Sequence, residues 1–145
     1  MSGTESKGAP VLVDRAALAG KGLDDFPVFP NPPKGSHGHA LAGADIPTRV
    51  GVQYDGDVTV QVVEIAGPRT NQVIDCSYDE FIYILEGGLI LTPENGTPHE
   101  FGAGDSLVMP KGFTGTWENT GDVYRELVVI EKKTWEQDMQ RMTVE

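Results

Sequence analysis

Two stretches decide how this chain folds: Tyr78-Asp-Glu-Phe-Ile-Tyr-Ile-Leu-Glu-Gly87 and Gly102-Ala-Gly-Asp-Ser-Leu-Val-Met-Pro-Lys-Gly-Phe-Thr-Gly-Thr-Trp-Glu118. Each holds short β-branched or aromatic runs bounded by glycine, the pattern of strands joined by tight turns. Gly87-Gly88 closes the first and Gly102-Ala103-Gly104-Asp105 opens the second, and both are read as turns. Further out, Asp55-Gly56 separates residues 49–54 from 58–65, and Asn95-Gly96 separates 89–92 from 97–101. Both dipeptides supply the positive φ that two-residue hairpins need. Asn119-Thr120-Gly121-Asp122 is read as one more turn, ahead of residues 123–131. Strands then recur about every 8 to 12 residues, so residues 49–131 are predicted to be all-β, a sandwich or a barrel.

The flanks differ from this middle. Asp14-Arg-Ala-Ala-Leu-Ala followed by Gly20 predicts one short helical turn with an N-cap and a glycine stop. Residues 26–34 carry too many prolines for regular structure, and residues 1–48 are read as an N-terminal arm rather than a domain. Thr134-Trp-Glu-Gln137 fits a capping box, with Trp135, Met139 and Met142 at i, i+4 and i+7. Residues 132–145 are therefore predicted to form a helix laid on the barrel.

A chain of 145 residues makes about one domain and buries close to ~70% of its unfolded surface, enough for a core without staples. Lys and Arg number 11 against 22 Asp and Glu, a formal charge of −11. Such a chain repels phosphate backbones and anionic lipid surfaces, which argues against nucleic-acid and membrane partners. Its longest apolar runs, such as residues 81–85, fall far short of the ~20 residues that span a bilayer. Residues 1–10 lack the order of a secretory signal, so the cytoplasm is the expected location. The single cysteine, Cys76, forbids an intrachain disulfide and reads as a packing thiol.

In their order and separation the two opening stretches resemble the paired motifs of the cupin superfamily. The subgroup they are most similar to contains the ureidoglycine aminohydrolase-like and ethanolamine-utilisation-type cupins, through the Asp-Glu-Phe near Ile-Leu-Glu-Gly and the Lys-Gly-Phe-Thr-Gly-Thr-Trp-Glu. The resemblance covers residues 49–131 and implies a jelly-roll barrel, and commonly a homodimer. The family metal site takes two histidines and a glutamate from the first motif and a histidine from the second. Carried over by position, the glutamate is Glu80, and Asn119 matches the family asparagine. The histidine pair falls on Val73 and Asp75, or on Ile74 and Cys76, and the last histidine on Gly115. A divalent metal wants three or more converging ligands, so no metal is expected in the barrel. The aminohydrolase activity does not carry over.

What remains is a candidate organic pocket. Gly115, Trp117 and Asn119 share one strand face by alternation, and the resemblance implies that this face lines the barrel. With Glu80 and Tyr78 they give apolar walls and a few orienting polar groups. Glu80 suits a general acid or base, Tyr78 and Lys111 assist, and Trp117, Asn119 and Tyr78 hold the substrate. Lys111 sits in the Pro110-Lys-Gly112 turn, where it can meet an anionic group; Arg69 is a weaker candidate of the same kind, and His99 reads as exposed. The leading expectation is thus a small cupin that binds a polar metabolite and works as a metal-independent enzyme through Glu80. One alternative is a ligand-binding or sensing cupin without chemistry. Another is a metal enzyme in which His37 and His39 join Glu80 in a two-histidine, one-carboxylate set for manganese, iron, nickel or zinc.

Overall fold

The computed structural model describes residues 8–26, 39–42 and 48–137. One nine-stranded antiparallel sheet accounts for most of them, in the order β1 (Asp24–Phe26), β3 (Thr48–Asp55), β4 (Thr59–Ala66), β9 (Gly115–Glu131), β5 (Arg69–Val73), β2 (His39–Ala42). β6 (Glu80–Pro93) runs along β9 and also pairs β7 (His99–Gly102) and β8 (Ser106–Met109). The all-β prediction holds.

β9 organises the molecule. Its first half, Gly115 to Asn119, lies between β5 and β6; its second half, Tyr124 to Glu131, lies between β4 and β6. The two turns predicted at Gly87-Gly88 and at residues 119–122 are not turns, because β6 and β9 run straight through them. Instead the strands shift register against each other between Glu86 and Gly88. Gly87 has φ +78, and a Cβ there would lie 2.5 Å from the Val123 carbonyl oxygen. Gly121 has φ +89 and faces the Gly87 Cα. A glycine in the left-handed region serves a bulge as well as a turn.

That bulge reverses which residues point inward. On β6 the buried set passes from Glu80, Ile82 and Ile84 to Leu89 and Leu91; on β9 it passes from Trp117 and Asn119 to Tyr124, Glu126, Val128 and Ile130. The core is this inward set together with Val60, Val62, Val73, Cys76, Tyr78 and Met109. Removing one of its fully buried aliphatic side chains costs about 2 to 5 kcal/mol.

The arm read over residues 1–48 contributes to the sheet. β1 pairs β3 and β2 pairs β5, with His39 in register with Gln72. The predicted helical turn is α1 (Arg15–Leu18), capped by the Asp14 carboxylate, which accepts from Ala16 N at 3.1 Å. Arg125 fastens it, donating from Nε to Leu18 O at 2.7 Å while its guanidinium pairs with Glu86 at 2.5 Å. The C-terminal helix begins at residue 132, two residues before the expected cap. Thr134 lies inside it and donates to Glu131 Oε1 at 3.0 Å instead of capping. At the helix start, the first residue of the predicted span, the Lys132 N–H donates to Val58 O at 2.8 Å and its ammonium meets Asp55. Met139 and Met142 lie outside the described residues. No helix of the described residues is long and apolar enough to cross a membrane.

Candidate functional site

Residues directly opposite one another on paired strands point to the same face. Glu126 on β9 stands opposite Glu64 on β4 and Ile84 on β6, so both glutamates face the interior among apolar neighbours. One step away on the same face lie Tyr124 and Val128. Glu80, at the start of β6 opposite Met109, reaches the same space and is 2% exposed. Three carboxyl groups and a phenol therefore share the half of the barrel bounded by β4, β6 and the second half of β9.

The electrostatics follow from that crowding. Burial, then the charges of Glu64 and Glu80, raise the Glu126 carboxyl well above the ordinary glutamate range. A side-chain hydrogen bond with Glu64 raises it further. Tyr124 donates from Oη to Glu126 Oε1 at 2.5 Å. Burial above all raises the Tyr124 phenol too, so it remains a donor. Tyr124, Glu126 and Glu64 are thus linked by side-chain hydrogen bonds. In low dielectric such a chain is strong when complete and costly when broken.

In the other half of the barrel the inward rows carry no carboxyl group and one cation, Arg69. Asn71, Trp117 and Leu91 form one row, and Arg69, Asn119 and Leu89 the next. Trp117 donates its indole N–H to Asn119 Oδ1 at 2.5 Å, and Asn119 Nδ2 donates to Gly67 O at 3.4 Å. The pair expected to hold a substrate thus holds itself in place, as a rigid indole and amide wall.

Among the other predicted site residues, Tyr78 is buried beside the core, and Glu80 shares the carboxylate half with two glutamates the motifs did not flag. Lys111 is exposed on its turn, held there by its backbone N–H, which donates to Asp79 Oδ1 at 2.8 Å. Cys76 is fully buried and its Sγ lies 3.3 Å from Tyr78 O. His99 is exposed on β7. His37 lies outside the described residues, and His39 is placed only by its backbone register.

The positions where cupins carry metal-binding histidines do not suit a metal here. Gly115 has no room for a side chain: a Cβ would stand 2.0 Å from Thr92 O. Of the paired alternatives, Val73 and Cys76 are fully buried in the core, while Ile74 and Asp75 are exposed. Among the described residues no three His, Cys, Asp or Glu side chains are gathered as a metal ion would require. No step is therefore routed through one.

The fold is all-β and of the cupin type. The EutQ-like cupin domain family matches residues 55–125. No functionally curated protein matches the chain in sequence. EutQ of Clostridium difficile superposes with a TM-score of 0.51 at 16% identity, over 61% of this chain and 71% of that one. A putative ethanolamine utilization protein Q from Salmonella typhimurium LT2 gives 0.50 at 24% identity, over 59% and 69%. The polyketide cyclase RemF from Streptomyces resistomycificus gives 0.57 at 20% identity, over 77% and 75%. These likenesses establish a cupin fold, and in sequence the chain resembles the EutQ type.

Proposed function

We propose that this cupin binds a small polar metabolite inside the barrel and transfers a proton to or from it without a metal, with Glu80 as acid or base. The observation that carries the reading is the buried carboxyl group of Glu126, hydrogen-bonded on one side to Tyr124 and on the other to Glu64, with the Glu80 charge acting on it. Buried carboxyls driven to different protonation states supply acid and base at one pH. Glu80 does the transfer, the Tyr124–Glu126–Glu64 chain replenishes or drains the proton, and Trp117 with Asn119 walls the ligand in. Tyr78 supports this wall, and Lys111, out on the surface, is left to steer rather than to react.

The test is recovery of the ligand. Metabolites that raise the melting temperature are incubated with protein and re-isolated for mass spectrometry and NMR. The wild type is expected to return a changed compound, and Glu80→Gln to return it intact while still folded. Recovery of unchanged compound from the wild type would overturn the catalytic reading in favour of a binding or sensing cupin. A homodimer belongs to the same proposal, with Phe81, Tyr83 and Val108 exposed at 41%, 37% and 55% on the outer face of β6 and β8. Light scattering at micromolar concentration should report twice the chain mass; a monomer contradicts it.

A further inference from the structure

We propose that Arg125 is a positioning residue for the barrel interior: stapled on the outer face to Glu86 and to the end of α1, it holds Tyr124 against Glu126. This rests on the reading of that pair as part of the proton-handling site, and adds the residue that aims it. The ladder between β6 and β9 is interrupted on both sides of a single pair. Ile84 stands opposite Glu126, Glu86 opposite Arg125 and Gly88 opposite Thr120, with a register shift in each interval. While β6 advances from 84 to 86, β9 moves only from 126 to 125; while β6 advances from 86 to 88, β9 runs from 125 to 120. Glu86 and Arg125 are therefore the fixed point between two irregular stretches, and their side chains meet at 2.5 Å. A guanidinium paired with a carboxylate fixes geometry as well as adding energy.

The strands alone do not hold Tyr124 in this way. Glu126 sits inside the continuous ladder of β9 with β4, which runs from Thr59 opposite Glu131 to Ala66 opposite Tyr124. Tyr124 is the last rung, and residues 121–123 beyond it fall in the interval where β6 and β9 lose register. Its hydroxyl nevertheless donates to Glu126 Oε1 at 2.5 Å, a bond that tolerates little drift. Arg125 lies between these two buried residues with its side chain in the outward phase, so what it grips outside bears on both neighbours inside. Its second grip is Leu18 O, a carbonyl at the end of α1, where helices leave acceptors unpaired; Nε donates to it at 2.7 Å. Gly20 rests on the same stem: a Cβ there would stand 3.2 Å from Ile65 Cδ1 and 3.4 Å from Arg125 Cδ. Docked on the outward side of Arg125, α1 thereby takes part in aiming a pair inside the barrel.

Infrared titration of the full chain, without ligand, reads the aim of Tyr124. The protonated-carboxyl band that is lost in Glu126→Gln is followed against pH. The hydrogen bond from Tyr124 pulls the Glu126 carboxyl down, so loosening it moves the midpoint of that band up. Glu64 on β4 and Glu80 on β6 also act on this carboxyl, but they are common to all variants compared. Glu86→Ala removes the partner of Arg125 together with a negative charge. Loss of the charge alone would move the midpoint down, whereas loss of positioning moves it up. A rise of about half a pH unit is expected, with unchanged far-UV circular dichroism. Arg125→Lys keeps the charge but replaces a fork by a single ammonium, and should raise the midpoint by less. In a Tyr124→Phe background neither substitution should raise it, because the bond being aimed is gone. A midpoint that falls or stays in place in Glu86→Ala, or a rise that persists in the Tyr124→Phe background, overturns the proposal and leaves the acid–base reading standing. That reading falls separately, on recovery of an unchanged compound.

Discussion

The two halves of β9 belong to one strand and share one neighbour, β6, yet they line different interiors. Residues 115–119 pair with β5 and turn inward a tryptophan and an asparagine that satisfy each other. Residues 124–131 pair with β4 and turn inward a tyrosine and a glutamate that cannot be satisfied without a proton and a second carboxyl. The bulge at Gly87 and Gly121 separates them by switching the inward phase of both strands. One half turns inward an indole and an amide that bond each other, and the other keeps carboxyl groups in a buried place. Chemistry concentrates where burial and like charges force protonation states apart, so the acidic half is the one the proposed function uses.

The largest expected effect comes from putting the family histidine back. Gly115→His forces a side chain into the Thr92 carbonyl and should cost at least ~3 kcal/mol in urea unfolding, since the β6 backbone has to move. Near-wild-type stability with bound nickel or zinc would show instead that the half around Trp117 retains a latent metal site.

A pH series sharpens the contrast. The folded state holds the Glu126 proton more tightly than the unfolded chain does, because its carboxyl is raised. The stability tied to that proton is fully present below the ordinary glutamate range and is lost as pH rises toward the raised value. Glu126→Gln removes this loss, so the urea midpoint of wild type minus that of the variant should fall steadily from about pH 5 to about pH 8. A flat difference would mean that Glu126 is ionised in the fold throughout.

Smaller still is the effect expected in the half around Trp117. Trp117→Phe leaves Asn119 Oδ1 without its donor and should cost about 1 to 2 kcal/mol. It should weaken ligand binding less than Glu64→Gln does. If it proves the more damaging of the two, the assignment of roles to the halves is reversed.

Much of this architecture was legible in the residues. Asp55-Gly56 and Asn95-Gly96 marked real strand connections, and the two motifs placed Glu80, Trp117 and Asn119 on the interior. Gly87-Gly88 and Asn119 to Asp122 misled, because a left-handed glycine looks the same in a hairpin and in a bulge. Only the long-range pairing of β6 with β9 tells them apart. Glu64 and Glu126 left a signal that alternation holds: Val60, Val62, Glu64, Ala66 and Tyr124, Glu126, Val128, Ile130 each carry a glutamate in the apolar phase of a strand. That the two meet depends on the register of β4 on β9, which neither segment specifies alone.

The central claim is that the barrel holds one carboxyl, Glu126, raised well above the ordinary glutamate range. Infrared spectroscopy of the protein in deuterated buffer near neutral pH tests it most directly. The account predicts a carbonyl band of a protonated carboxyl in the wild type that disappears in Glu126→Gln. A wild-type spectrum without that band, or a band that persists unchanged in the variant, would contradict it.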